Sequence, residues 1–243
     1  MQSIQLCQNN MLDKFIEVNL LGPTKICSFD CGYCSLGKTS AKLKNLNESS
    51  FIPFEDILFE LKDVISKNAD YTKIVISGNG EPTLFPHFFE FSKELSDLIT
   101  SRNSEHQTVL LTNGAHLDSK KILEACAFYS DVIIKLDVGT QEHFKEFNAP
   151  LVRGGIERII TNARKIKNPS IQTQVAKING VIFLKEKFDD YCELVGMISP
   201  RAIYLQSMSL PANNDAFKKV SDDEIEIIAS LLRRRFTFDV KVS

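Results

Sequence analysis

The chain has 243 residues, 43% of them hydrophobic, which is enough to bury one sizeable core. Lys and Arg total 29 against 31 Asp and Glu, so the net charge of −2 gives no global pull toward nucleic acid or an acidic membrane. The opening residues lack a basic start followed by an apolar run, and no stretch is long and apolar enough to span a bilayer, so no membrane partner and a cytoplasmic location are expected.

In chain order, residues 15–21 are β-branched and apolar, and Gly22-Pro23 stops them, which predicts a strand. Residues 37–52 are polar. Pro53 then opens an amphipathic helix over 54–67, with Ile57, Leu58, Leu61, Val64 and Ile65 at helical spacing. Strands are predicted at 73–77, 108–112 and 131–136, and helices at 87–99, 119–127, 141–147 and 155–165. A strand at 171–178 can run on to 184 through a turn or bulge at Asn179-Gly180. A helix at 188–198, a strand at 202–206, a closing helix at 222–235 and a β-like run at 236–242 complete the pattern.

Near-continuous apolar strands alternating with amphipathic helices imply parallel βαβ units with right-handed crossovers. The fold class is therefore α/β, a partial (βα)6 TIM-like barrel. It is expected as one domain over 1–243, with its core at about 14–210 and the 221–242 segment packed on the barrel. Ligands of such folds bind at the carboxyl ends of the strands, and the chemically suggestive residues of this chain fall there.

The strongest of these signals is Cys27-Ser-Phe-Asp-Cys31-Gly-Tyr33-Cys34. A loop this short can bend three thiolates around one [4Fe-4S] cube and leave one iron open, and no fourth cysteine follows at a usual spacing. Half of a zinc site, a redox pair with a bystander, or small buried residues are the other readings; the fourth-ligand candidates for zinc, Cys7, Cys126, Cys192, His87, His106, His116 and His143, have no paired spacing. Cys126 and Cys192 fall on amphipathic helices and read as core.

After the second strand, Gly78-Asn79-Gly80-Glu81-Pro82 lets the backbone approach a ligand closely, with Glu81 beside it. Asn113 ends the third strand before Gly114, where a turn role is the alternative. Lys135 and Asp137 alternate with apolar neighbours on the fourth, so they share a face and need each other or a ligand. Gln172, Gln174, Gln206 and Ser207 are further polar candidates on the last two strands, for which exposure at an edge or rim is the preferred account. Lys38, Lys42 and Lys44 flank the cysteine loop, where they can guide an anionic substrate or reductant.

The cysteine spacing, the aromatic Tyr33 before the last cysteine and the Gly-Asn-Gly-Glu-Pro-Thr-Leu run together resemble the radical S-adenosylmethionine (SAM) superfamily over roughly residues 10–210. The resemblance implies a [4Fe-4S] cluster on Cys27, Cys31 and Cys34. Its open iron is chelated by the amino and carboxylate groups of SAM, and one electron from the reduced cluster cleaves SAM to methionine and a 5'-deoxyadenosyl radical that abstracts hydrogen from the substrate. Tyr33, Gly78, Asn79, Gly80, Glu81, Asn113, Lys135 and Asp137 are then expected to bind the cofactor, with Asn79 standing where the family has glycine and Asp137 reaching the ribose. Within the superfamily the chain looks most like the small proteins related to wyosine-type tRNA base synthases, although only Cys7 lies upstream to serve a second cluster.

The implied partners are an electron donor such as flavodoxin or ferredoxin and a substrate left open. With little beyond the barrel to close its mouth, a macromolecule such as tRNA or protein is expected. A glycyl-radical-type activase and a non-catalytic iron-sulfur or zinc binding protein are the alternatives.

Overall fold

A computed structural model describes residues 3–39, 46, 51–68, 70–102, 105–208, 212 and 214–243. Lys42 and Lys44, and most of the polar run at 37–52, lie outside these residues. The chain divides into two compact units.

The first unit takes in the described residues of Met1–Ser28, Thr39–Thr112 and His116–Val132. It contains β1 (Ile4–Asn9), β2 (Asp13–Asn19), α1 (Phe54–Lys67), β3 (Lys73–Ser77), α2 (Phe88–Ser101), β4 (Gln107–Thr112) and α3 (Lys120–Ala125). Strands β2, β3 and β4 pair in parallel, Phe15 opposite Lys73 and Lys73 opposite Gln107. Covering β3 on both faces requires an apolar strand, and Ile74, Val75 and Ile76 are all buried. Helix α1 buries Ile57, Leu58, Leu61 and Ile65, four of the five residues its periodicity places on the apolar face.

Strand β1 was not foreseen. It pairs antiparallel with β2, Ile4 opposite Val18, through a turn in which Asn9 Oδ1 accepts from the amides of Met11 and Leu12 at 3.0 and 2.8 Å. An edge strand is buried on one face at most, so its sequence, Ile-Gln-Leu-Cys-Gln-Asn, lacks the continuous apolar run that marks the inner strands.

The second unit takes in Phe29–Lys38, Asn113–Ala115 and the described residues of Ile133–Ser243. Its elements are most of β5 (Asp131–Lys135), then α4 (Gln141–Phe147), α5 (Ile156–Ala163), β6 (Ser170–Ile178), β7 (Val181–Ile182), α6 (Phe183–Glu186), α7 (Phe188–Ile198), β8 (Ala202–Ser207), β9 (Phe217–Lys219), α8 (Asp222–Arg235) and β10 (Asp239–Val242). Strands β5, β6, β8 and β10 run parallel in that order.

The break at Asn179-Gly180 is a turn: both residues have positive φ, 52° and 82°, and β7 folds back antiparallel on β6. Strand β9, also antiparallel, covers the same end of β6. Earlier on β6, Thr173 Oγ1 meets the hydroxyl of the fully buried Tyr191 at 2.7 Å.

Helix α8 starts with a complete capping box: Ser221 Oγ accepts from the Glu224 amide, and Glu224 Oε2 accepts from the Ser221 amide at 2.8 Å. Replacing Ser221 by Ala removes one half of this exchange. A loss of about 1 kcal/mol is expected, which lowers the thermal midpoint by roughly 2–4 °C; an unchanged midpoint in a calorimetric scan would contradict the assignment.

Candidate active site

In the first unit, β2 ends at Asn19 and the chain turns through Gly22 toward Cys27. This turn is tied to the loop after β3. Ile26 donates its amide to the Asn79 carbonyl at 3.0 Å, and Glu81 donates to the Ile26 carbonyl at 2.9 Å, so the residue before Cys27 is paired with the glycine run like a strand. Gly80 must be glycine: its φ is 140°, and a Cβ there would lie 1.8 Å from the Ile26 carbonyl oxygen. The Asn79 side chain braces the same corner, donating to the Gly22 carbonyl at 2.7 Å beside Asn19, which donates to it at 2.8 Å.

Glu81 is 1% exposed. Its Oε1 accepts from the Thr83 amide at 3.2 Å, from Thr83 Oγ1 at 2.6 Å and from Thr112 Oγ1 at 2.7 Å. The carboxylate therefore ties the loop after β3 to the end of β4, and the side chain caps the short turn that follows. It also helps to push the nearby Cys126 thiol up to about 12, after burial, the larger cause. Cys126 is then an inert thiol in the core, as its helical position suggested.

In the second unit the centre is Asp137, whose side chain is wholly buried. Oδ2 accepts from the Tyr33 hydroxyl at 2.7 Å and from Asn148 Nδ2 at 2.6 Å. Oδ1 accepts from the Gln174 amide at 2.7 Å and pairs with Lys135 Nζ at 3.2 Å. A buried carboxylate survives only with such a set of donors, because losing hydration costs several kcal/mol per ion.

Through these bonds Asp137 reaches the cysteine loop. Tyr33 lies against Phe147 at 5.1 Å between ring centroids, with Lys135 Nζ 5.3 Å from its own ring centre, and Asn148 Nδ2 is 3.5 Å from Cys31 Sγ. The loop backbone is strapped to the end of α4: Gly32 donates to the Phe147 carbonyl at 3.2 Å and Asp30 to those of Asn148 and Ala149 at 3.2 and 3.0 Å. Gly32 has no room for a side chain, since a Cβ would stand 2.1 Å from the Phe217 ring.

Burial, then the Asp137 carboxylate, pushes the Cys31 thiol up to about 11, opposed by the Asn148 amide, the Tyr33 hydroxyl and Lys135. Burial and the same carboxylate hold the Tyr33 hydroxyl well above its ordinary range, so it keeps its proton and donates. A metal bound at Cys31 reverses this logic and deprotonates the thiol outright.

The donor set fits a cluster. None of the six cysteines is in a disulfide, and Cys27, Cys31 and Cys34 are each partly exposed. Cys31 already faces an N–H donor of the kind that supports a ligating sulfur. Among the described residues no three of His, Cys, Asp or Glu converge to hold a single metal ion.

The structure thus joins Cys31, Tyr33, Lys135 and Asp137 in one unit, and the Gly78–Glu81 run with the segment entering Cys27 in the other. Cys34 donates its amide to the Cys31 carbonyl at 3.1 Å, closing the turn between them. Asn113 is buried and accepts from the Ala115 amide at 3.0 Å, the local turn its sequence allowed. Cys7 lies on β1 beside Glu17, 3.9 Å from its carboxylate.

One reading is overturned. Gln172 and Gln174 are buried, at 6% and 8% exposure, because β8 lies in register against β6 and supplies partners: Gln172 Nε2 meets Gln206 Oε1 at 2.9 Å and Gln174 Nε2 the Gln206 carbonyl at 2.8 Å. Ser207 donates to the Val220 carbonyl at 3.0 Å. Asn148 went unnoticed, since an Asn after a helix reads as an end signal and nothing in the sequence marks its contact with Cys31.

The profile of the radical SAM superfamily matches residues 21–198, from the turn before Cys27 to the end of α7. The chain belongs to this superfamily, whose members bind a [4Fe-4S] cluster and SAM. The GTPase Obg of Brachyspira hyodysenteriae is 24% identical over 207 residues, which cover 84% of this chain and 29% of that protein. The UPF0026 protein of Synechocystis is 27% identical over 203 residues, 81% of this chain and 71% of its own.

Among solved structures, Streptococcus suis SuiB bound to precursor peptide SuiA gives a TM-score of 0.66 at 16% identity, covering 93% of this chain and 48% of that one. TYW1 with a lysine-pyruvate adduct gives 0.60 at 18% identity, covering 90% and 72%. These likenesses show the fold, the partial TIM-like barrel expected from the element order.

Replacing Asp137 by Asn sets an amide among donors that need an acceptor. Breaking a buried ionic set costs about 3–5 kcal/mol, so the thermal midpoint is expected to fall by roughly 6–20 °C. A midpoint within a degree of the parent would remove Asp137 from its central place.

Proposed function

We propose that this radical SAM enzyme holds its [4Fe-4S] cluster on Cys27, Cys31 and Cys34 and acts on a macromolecular substrate, peptide or RNA, within one catalytic domain. The observation that carries the reading is the cysteine loop itself, strapped to the end of α4 and pinned through Tyr33 and Asn148 to buried Asp137. When bound, the cluster supplies one electron that cleaves SAM to methionine and a 5'-deoxyadenosyl radical.

The chain's own work is geometric. Gly78 and Gly80 keep the backbone after β3 bare of side chains, and Asn79 and Glu81 hold that strip in shape, so SAM is met by main chain. Asn113 borders SAM at the end of β4. Tyr33, Lys135 and Asp137 would serve the cofactor at the cysteine loop, where the Asp137 set fixes Cys31 and the Phe147 and Phe217 rings pack on Tyr33.

The peptide-bound SuiB structure supports a peptide as one form of substrate. A cytoplasmic setting and a flavodoxin or ferredoxin as electron donor belong to the same proposal; among the described residues no helix is long and apolar enough to cross a membrane.

The test is anaerobic purification, reconstitution with iron and sulfide, reduction with dithionite and assay of SAM cleavage. The parent is expected to form 5'-deoxyadenosine, and Cys31→Ala to form at least 100-fold less, since the cluster loses a ligand. A reducible cluster that leaves SAM intact would move the chain to the class of electron carriers.

A further inference from the structure

Asn148 Nδ2 carries two hydrogens, and the structure has a use for both. The nitrogen lies 2.6 Å from Asp137 Oδ2 and 3.5 Å from Cys31 Sγ. The orientation of the amide is fixed chemically: a carboxylate only accepts, so the group must turn its nitrogen to Asp137, and the second N–H is left for the sulfur. The residue is 4% exposed. It is also held by its backbone, the amide donating to the Phe144 carbonyl at 3.0 Å and the carbonyl accepting from Asp30, the neighbour of Cys31, at 3.2 Å.

We infer that Asn148 is a positioning residue that sets the reduction potential of the cluster through Cys31. The inference rests on the proposed ligation by Cys31. Reduction adds one negative charge to the cluster and its sulfurs, and a hydrogen bond to a ligating sulfur favours the reduced form. Asn148 and Asp137 are both buried, so on their side of the sulfur the dipole acts with little screening.

Asn148 also donates to the Asp137 carboxylate, whose charge disfavours reduction and is answered on its other oxygen by Lys135 at 3.2 Å. Removing the amide therefore acts twice in one direction. The sulfur loses one donor and the carboxylate loses one of the groups that answer its charge, and the potential falls.

The experiment compares the parent with Asn148→Leu, of similar size but without a donor, by EPR-monitored redox titration of the reconstituted cluster. At the parent's midpoint the ratio of reduced to oxidised cluster is expected to fall about tenfold, a one-electron shift of 59 mV. An intact Asn148→Leu cluster with an unmoved potential overturns the inference and leaves the proposed function standing.

Should the variant not load iron, pulsed EPR of the parent made with side-chain 15N-labelled asparagine decides. A 15N coupling to the reduced cluster supports the contact, and its absence overturns it. A parent that assembles no Cys31-dependent cluster overturns both the inference and the ligation on which it rests.

Discussion

The second unit is organised by one buried negative charge. Asp137 stands at the carboxyl end of β5 with no access to water, and four donors from four places in the chain converge on it: the Tyr33 hydroxyl, the Asn148 amide, the Gln174 main chain and the Lys135 ammonium. Desolvating a carboxylate is expensive, so the donors are obligatory, and each fixes a different segment. Tyr33 fixes the cysteine loop, Asn148 the end of α4, Gln174 the middle of β6, and Lys135 the end of β5 itself. Asp137 is thereby the point from which the cysteine loop is hung.

The first unit solves a similar problem with main chain. There the segment entering Cys27 is held by two hydrogen bonds to the loop after β3, at 3.0 and 2.9 Å, and the approach is so close that only glycine fits at position 80. Glu81, also buried, has its carboxylate turned to Thr83 and Thr112. In both units the acidic residue of a suggestive motif stabilises the shape of a loop, and the loop presents backbone and sulfur. This division suits radical chemistry, in which the protein supplies orientation and exclusion and the cofactor the reactivity.

Much of this was legible in the sequence. Helices α1, α4, α7 and α8 have the bounds that periodicity and end signals give them, because each buries one apolar stripe and carries its own start or stop. The cysteine spacing, the glycine run and the pairing of Lys135 with Asp137 were equally plain, since spacing and alternation are local. What escaped was non-local: β1 takes its order from pairing with β2, the glutamines of β6 are buried because β8 meets them in register, and Asn148 matters only because the fold carries it to Cys31.

The account comes to rest on a cluster with three protein thiolates and one iron open to SAM. Electron-nuclear double resonance of the reduced cluster with SAM labelled by 15N in its amino group and 17O in its carboxylate tests this most directly. The account predicts hyperfine coupling from both labels, present in the parent and absent without SAM. A cluster that shows neither coupling at saturating SAM would mean that all four irons are closed to it, and the central claim would be wrong.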